Sequence, residues 1–184
     1  SDWRERAAQY LRAVAEAQSE HGWWAEHGGP VVAYNFVYVE ALGIYASMSG
    51  DGEVTPALER AARYHAEFTY PDGSAVETVD GRNPYKAGVQ LGNAGLTRTP
   101  AGRGWLARQH SLFLAGGGTF DPDYAAGVLL YGETGGSEAP AAAAAGHLYR
   151  MGELAQSRRQ GPWFGCVSAI ATPASPGRFG QDRQ

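Results

Sequence analysis

Between Tyr70 and Tyr85 the chain reads Tyr-Pro-Asp-Gly-Ser-Ala-Val-Glu-Thr-Val-Asp-Gly-Arg-Asn-Pro-Tyr, which gathers Glu77, Asp80 and Arg82 into one loop with a tyrosine at each end. A turn requires Pro-Asp-Gly, but it does not require this mixture of carboxylates, guanidinium and phenols, and such a collection suits a polar ligand. Glu77 and Asp80 are a carboxylate pair of the kind glycoside hydrolysis uses, one as acid and the other as base or nucleophile. The structural alternative is that Arg82 pairs with both and pins the loop, and the two roles are compatible. A phenol with its ordinary pKa of about 10 becomes a usable base only beside a cation, and Arg82 is the cation at hand for Tyr70 or Tyr85.

Other candidates lie upstream. Asn35 is polar within an otherwise apolar stretch, next to Tyr34, and is either a buried hydrogen-bonded residue or a ligand contact, the second being the reading preferred. His65 falls on the apolar face of a predicted helix one turn before the loop, where a buried hydrogen-bonded histidine is the default and a site role the alternative. Trp23 and Trp24 are adjacent aromatics that either stack on sugar rings or cover a helix end. His21, Glu26 and His27 fit no standard metal-ligand spacing, so no metal and no cofactor is expected. Cys166 has no neighbouring His and Asp pattern to make it a nucleophile, and Gly116-Gly117-Gly118 lacks the strand and lysine of a phosphate loop.

The elements that must hold these groups read as helices. Asp2 begins one through Trp3, Ala7, Tyr10, Leu11 and Val14, stopped at Gly22. Val32 to Ser49 is apolar nearly all round and therefore central. Thr55-Pro56 opens a third helix with Leu58, Ala61, Ala62, His65 and Phe68 facing inward, Thr99-Pro100 a fourth, and Asp121-Pro122 a short fifth. The alanine-rich stretch from Glu138 to Gln156, with Leu148, Met151 and Leu154, predicts a long sixth helix, and Phe164 to Ile170 a strand. The expected fold is all-α: stacked αα-hairpins forming an incomplete (α/α) toroid over residues 1–158, with residues 159–184 an irregular or short β tail. A plain helical bundle is the alternative.

Bulk properties narrow the partners. The chain has 184 residues, 43% hydrophobic and 18% charged, and a net charge of -4, which describes a single globular domain without the basic excess that attracts nucleic acid. Lys86 is the single lysine among fifteen Lys and Arg residues, so the cationic groups are guanidiniums, suited to carboxylates. One cysteine excludes an internal disulfide framework, and no run is long enough for a membrane span. The compartment stays open between secreted and cytoplasmic. The start without methionine and the unpatterned end read as a fragment or processed piece.

Three features together resemble the toroid-forming polysaccharide lyases of the heparinase and alginate-lyase type: Tyr34-Asn35 leading a helix that ends Ala41-Leu-Gly-Ile-Tyr45 and Ser49-Gly-Asp51, a helix entering Tyr70-Pro-Asp-Gly-Ser74, and a tail with Arg178 and Asp182-Arg183-Gln184. The resemblance implies a cleft that cleaves an anionic polysaccharide or oligosaccharide by β-elimination, and a β-sandwich domain, or a second copy of the chain, as a further partner. By that analogy Asn35, with His65 or Arg82, neutralises the uronate carboxylate, and Tyr34, Tyr70 or Tyr85 moves the proton. Trp23, Trp24, Tyr70, Glu77 and Asp80 line the substrate. The Asn-His dipeptide common in such proteins is Asn35-Phe36 here, so any histidine must come from elsewhere. Gln18, Gly22 and Trp24, with Pro71-Asp-Gly-Ser74, are also similar to the structural motif of α/α terpene cyclases, which implies helix-hairpin packing but not cyclase chemistry. A hydrolase using Glu77 and Asp80 and a non-catalytic carbohydrate- or protein-binding helical domain are the alternatives.

Overall fold

The computed structural model describes residues 2–26, 29–79, 88–140 and 143–170. Within them the helices are α1 (Asp2–Glu16), α2 (Val32–Ser49), α3 (Thr55–Glu67), α4 (Pro100–Ala115) and α5 (Pro122–Tyr131). Two antiparallel sheets accompany them: the short hairpin β1 (Ala25–Glu26) and β2 (Gly29–Pro30), and a three-stranded meander of β3 (Leu148–Met151), β4 (Ala155–Gln160) and β5 (Trp163–Ser168). The fold is therefore mixed, and the all-α toroid expected from the helical spacing does not hold.

The decisive departure is the stretch read as a sixth helix. Pro140 and Gly146, the latter at φ 82, interrupt it, and its second half pairs as strands, Met151 opposite Ala155 and Leu148 opposite Arg158. The inward residues Met151, Ala155 and Ser157 are buried, whereas Leu148, Arg150 and Arg158 face out, which is the period of two that a half-buried strand requires. The β4–β5 turn is Gly161-Pro162, with glycine at φ 58 in the first central position favoured by two-residue hairpins. Strand β5 realises the strand expected near Phe164, although it ends at Ser168.

Two apolar clusters hold the elements together. In the first, Val39, Leu42 and Ala46 of α2 meet Leu58, Ala61 and Ala62 of α3, with Trp24, Leu96, Trp105 and Leu106 around them. Here α2 presses on the 3-10 turn Ala94–Arg98 so closely that a β-carbon at Gly43 would strike the backbone of Gly95. In the second, Val32, Tyr64, Phe68, Ala75, Val76 and Val79 meet Met151 and Ala155, so the sheet is packed on the far end of α3. Helix ends follow the local chemistry: Thr99 accepts from the Gly102 N–H and Asp121 from the Asp123 N–H, as their cap-then-proline starts predict, and Gly50 closes α2 at φ 72. Thr55 departs from its expected capping role, because the preceding 3-10 turn Gly52–Val54, capped by Asp51, already carries the chain into α3. Among the described residues no helix is long and apolar enough to cross a membrane.

Candidate functional site

The motif around Gln18 is a splice between the end of α1 and the start of α3. The Gln18 side-chain amide donates to the carbonyls of Gly22 (3.2 Å) and Ala57 (2.9 Å), and its oxygen accepts from Arg60 Nε at 2.9 Å. Gly22, at φ 89, lies where any β-carbon would run into the Arg60 carbonyl. That splice delivers the two tryptophans to different places. Trp24 is sealed in the first cluster, its indole N–H donating to the Val14 carbonyl at 2.7 Å and its ring stacked on Tyr38, so neither ring face is open to a sugar. Trp23 packs partly buried against the second cluster.

Asn35 and His65 meet across α2 and α3. Asn35 Oδ1 accepts the Trp24 backbone N–H at 3.2 Å, and Nδ2 donates to the Gly22 carbonyl at 3.3 Å and lies 3.1 Å from His65 Nε2. An amide nitrogen only donates, so His65 Nε2 is the acceptor and the imidazole proton sits on Nδ1. The imidazole is stacked on Phe36, with ring centroids 3.9 Å apart, and has Trp105 and Tyr64 beside it. Complete burial holds it neutral, its pKa lowered to about 3. Asn35 is 1% exposed and His65 is fully enclosed, so the asparagine expected to contact a ligand instead engages its whole amide in fixing Gly22, Trp24 and the histidine.

Polar atoms without a hydrogen-bond partner among the described residues fall on three of the residues chosen from sequence. They are the Trp23 indole N–H, His65 Nδ1–H and both carboxylate oxygens of Glu77, each buried. Interiors leave such groups unmatched rarely and at a cost of about 1–3 kcal/mol each. Trp23 packs on the cluster that contains Tyr64, Val76 and Val79, whereas the His65 ring lies against Phe36 and Trp105. Two donors and one carboxylate are the complement of a hydroxylated ligand.

The loop that carries Glu77 is anchored at its start. Thr69 and Ala75 form an antiparallel bridge, the Tyr70 N–H donates to the Ser74 carbonyl at 2.8 Å, and Asp72 Oδ1 accepts from both the N–H and the hydroxyl of Ser74. Asp72 is thus the turn residue its Pro-Asp-Gly setting implies. From α4, the amide of fully buried Gln109 donates to the carbonyls of Gly73 (2.7 Å) and Gln90 (2.8 Å), tying the turn to the chain that follows. Tyr70 is half-buried, edge-on to Phe164 of β5, whereas Tyr34 is 42% exposed on α2. Asp80, Arg82 and Tyr85 lie outside the described residues.

A second polar cluster had no sequence signal, because it joins Glu67 at the end of α3 to His147 and Tyr149 of the stretch read as helix, eighty residues away. His147 Nε2 lies 2.9 and 2.8 Å from the two oxygens of Glu67, and the Ser157 hydroxyl donates to the same carboxylate at 3.4 Å. Burial pushes the Glu67 carboxyl up, partly opposed by its bonds to His147 and Ser157. Nearby, the Tyr149 hydroxyl is 3.3 Å from His21 Nδ1, and burial together with the charges of Glu67 and Glu20 raises its pKa, so it stays protonated. Among the described residues no group of three or more His, Cys, Asp or Glu is arranged to hold a metal ion.

No protein-family model, curated protein or solved structure matches this chain.

Proposed function

We propose that this protein acts on uronic-acid-containing anionic glycans by β-elimination, with Trp23, His65, Tyr70 and Glu77 as its site residues. The observation that carries the reading is the Asn35–His65 contact with its outward consequence: a neutral imidazole whose Nδ1–H is a buried donor without an acceptor among the described residues. Elimination next to a uronate needs hydrogen-bond donors at the carboxylate, because negative charge builds there as the C5 proton leaves. The His65 Nδ1–H and Trp23 indole N–H supply such donors, Asn35 acts as the positioning residue that fixes the tautomer, and Glu77 accepts from sugar hydroxyls. In the reaction the C5–H bond breaks toward a base, the C4–O bond breaks, a C4–C5 double bond forms, and the departing oxygen takes up a proton. Tyr70 borders the same cluster, which favours it over Tyr34 as proton carrier; Arg82 and Tyr85 enter on sequence grounds only.

One observation favours a second reading, glycan or protein binding without chemistry. Asn35 and His65 are closed to solvent, and the asparagine's bonds all serve the fold. Incubation with a panel of uronate polymers separates the two: an unsaturated product absorbing in the ultraviolet supports elimination, binding with no new double bond supports the second reading, and reducing ends released without a double bond contradict elimination in favour of hydrolysis.

A further inference from the structure

The sheet of β3, β4 and β5 sets one face on the second apolar cluster, through Met151 and Ala155, and turns the other to solvent. The strand registers decide which residues share that outer face: Arg150 beside Gln156 and Val167, Arg158 beside Gly165, and Gln160 beside Trp163. Trp163 is 78% exposed and Val167 71%, and between them on β5 stands Gly165, where a β-carbon would meet nothing. The face is therefore a shallow trough, floored by Gly165 and bounded at one end by an indole. From Trp163 to Val167 it runs about 13 Å at the rise of a strand, longer than one sugar ring. At the Val167 end it widens into an open depression of about 420 Å3 lined by Arg150, Glu153, Gln156, Val167 and Ala169, within the range of about 300–1,000 Å3 that small-ligand sites occupy.

The charge of this face is opposite to that of the chain. Arg150 and Arg158 stand against one carboxylate, Glu153, on a protein of net charge -4, and among the described residues neither arginine forms a salt bridge. Arg158 Nη2 donates to Gln160 Oε1 at 3.3 Å, toward the row that holds Trp163 and within the diagonal reach of long side chains on neighbouring strands. Arg6 lies over the similarly exposed Trp3, whereas among the described residues no cation lies over Trp163. An open indole with a guanidinium on the next strand suits an acidic sugar, whose apolar ring face meets the aromatic while its acid group meets the fork. A second sheet or a second copy packed here would bury Arg150, Arg158 and Gln156, at a cost in desolvation. We propose that the outer face of the sheet binds an acidic oligosaccharide, with a sugar ring stacked on Trp163 and its carboxylate or sulfate groups on Arg158 and Arg150. That the ligand is a glycan rests on the reading above, but Trp23, His65, Tyr70 and Glu77 take no part and no bond need be cleaved.

The test is calorimetric titration with an oligogalacturonate, a sulfated oligosaccharide and a neutral cello-oligosaccharide of equal length. One or both acidic oligosaccharides should bind at least about tenfold more tightly than the neutral one, the carboxylate or the sulfate arm identifying the acid group, and Trp163→Ala and Arg158→Gln should each weaken that binding about tenfold. Gly165→Val, which raises the floor of the trough with a good strand former, should also weaken it without lowering the denaturation midpoint. Both of the other substitutions are at exposed positions, and circular dichroism confirms that the variants fold. No binding of either acidic oligosaccharide, equal binding of the neutral one, tighter binding of a single-stranded oligonucleotide, self-association that Trp163→Ala abolishes, or a folded Trp163→Ala or Arg158→Gln variant with unchanged affinity would each overturn the proposal. Binding that depends on Trp163 with no double bond formed leaves the outer face standing while the elimination reading falls; elimination in a protein whose affinity ignores both substitutions does the reverse.

Discussion

The Asn35 side-chain amide nitrogen lies 3.1 Å from His65 Nε2, joining α2 to α3 across thirty residues and deciding on which nitrogen the imidazole carries its proton. With Nε2 accepting and the ring sealed from water, a second proton has nowhere favourable to go, which is why burial lowers the His65 pKa to about 3.

That lowering fixes the sign of a pH dependence. Unfolded His65 takes up a proton below about 6.5, whereas the folded ring stays neutral until about pH 3, so the unfolded state binds more protons in between and stability falls as pH drops through that window. The loss is on the order of 4 kcal/mol across the whole window. Denaturant midpoints measured from pH 7 to pH 4 should fall steeply in the wild type and less steeply in His65→Gln; equal slopes would show that the histidine is not held neutral.

The Glu67–His147 pair should behave oppositely. His147→Ala leaves a buried carboxylate with only Ser157 beside it, at a cost of about 2–4 kcal/mol, since an unpaired buried charge is penalised more than a neutral group. Its carboxyl then rises further, so the variant loses stability as pH increases through the raised value, and hydrogen exchange in β3 and β4 should accelerate before that in α2. Glu67→Gln should recover most of the loss in the His147→Ala background.

Close approach of backbone supplies a prediction independent of charge. In Gly43→Ala the new methyl meets Gly95 backbone with no flexible side chain to yield, so α2 must move off the Ala94–Arg98 turn. The expected destabilisation is about 3 kcal/mol or more, read from the denaturation midpoint. Gly52→Ala, where the added carbon meets nothing, should be nearly neutral and serves as the comparison.

Much of the helical half was legible because its signals are local. The Thr99-Pro100 and Asp121-Pro122 starts and the all-round apolar character of Val32 to Ser49 each appear where expected, and these depend on neighbours within one or two turns. The sheet was not legible for the same reason. Leu148, Met151 and Leu154 are spaced three apart, as on a helix face, after a run of alanines, yet Met151 alone of the three is buried, because its partners Ala155 and Phe68 are supplied by tertiary contact. Glycines 146 and 152, both at positive φ, carried the contrary signal. In the site, His65 was identifiable as a polar group on an apolar helix face, Trp23 as one of two adjacent aromatics and Glu77 as part of a charged loop, whereas the Glu67–His147 pair joins residues eighty apart and has no sequence pattern at all.

Gln109 links the fold to the candidate site. Its amide bridges the carbonyls of Gly73 and Gln90, so Gln109→Ala leaves the half-buried Gln90 carbonyl without this donor and the Gly73 carbonyl with the Gln90 N–H alone, and should cost about 1 kcal/mol while loosening the turn that positions Tyr70. Faster exchange of the Ser74-bonded Tyr70 amide, with α2 protection unchanged, would identify the effect as local; uniform acceleration would assign Gln109 to global stability alone.

The central claim is elimination at a uronate, and the most direct measurement is ultraviolet absorbance of the unsaturated product while the protein is incubated with uronate polymers, comparing the wild type with Glu77→Gln and Tyr70→Phe. The account predicts a rising absorbance with at least one polymer, reduced in Glu77→Gln and abolished or nearly so in Tyr70→Phe, with both variants folded. No absorbance gain on any uronate polymer, or a gain that Tyr70→Phe and Glu77→Gln leave untouched, would contradict it.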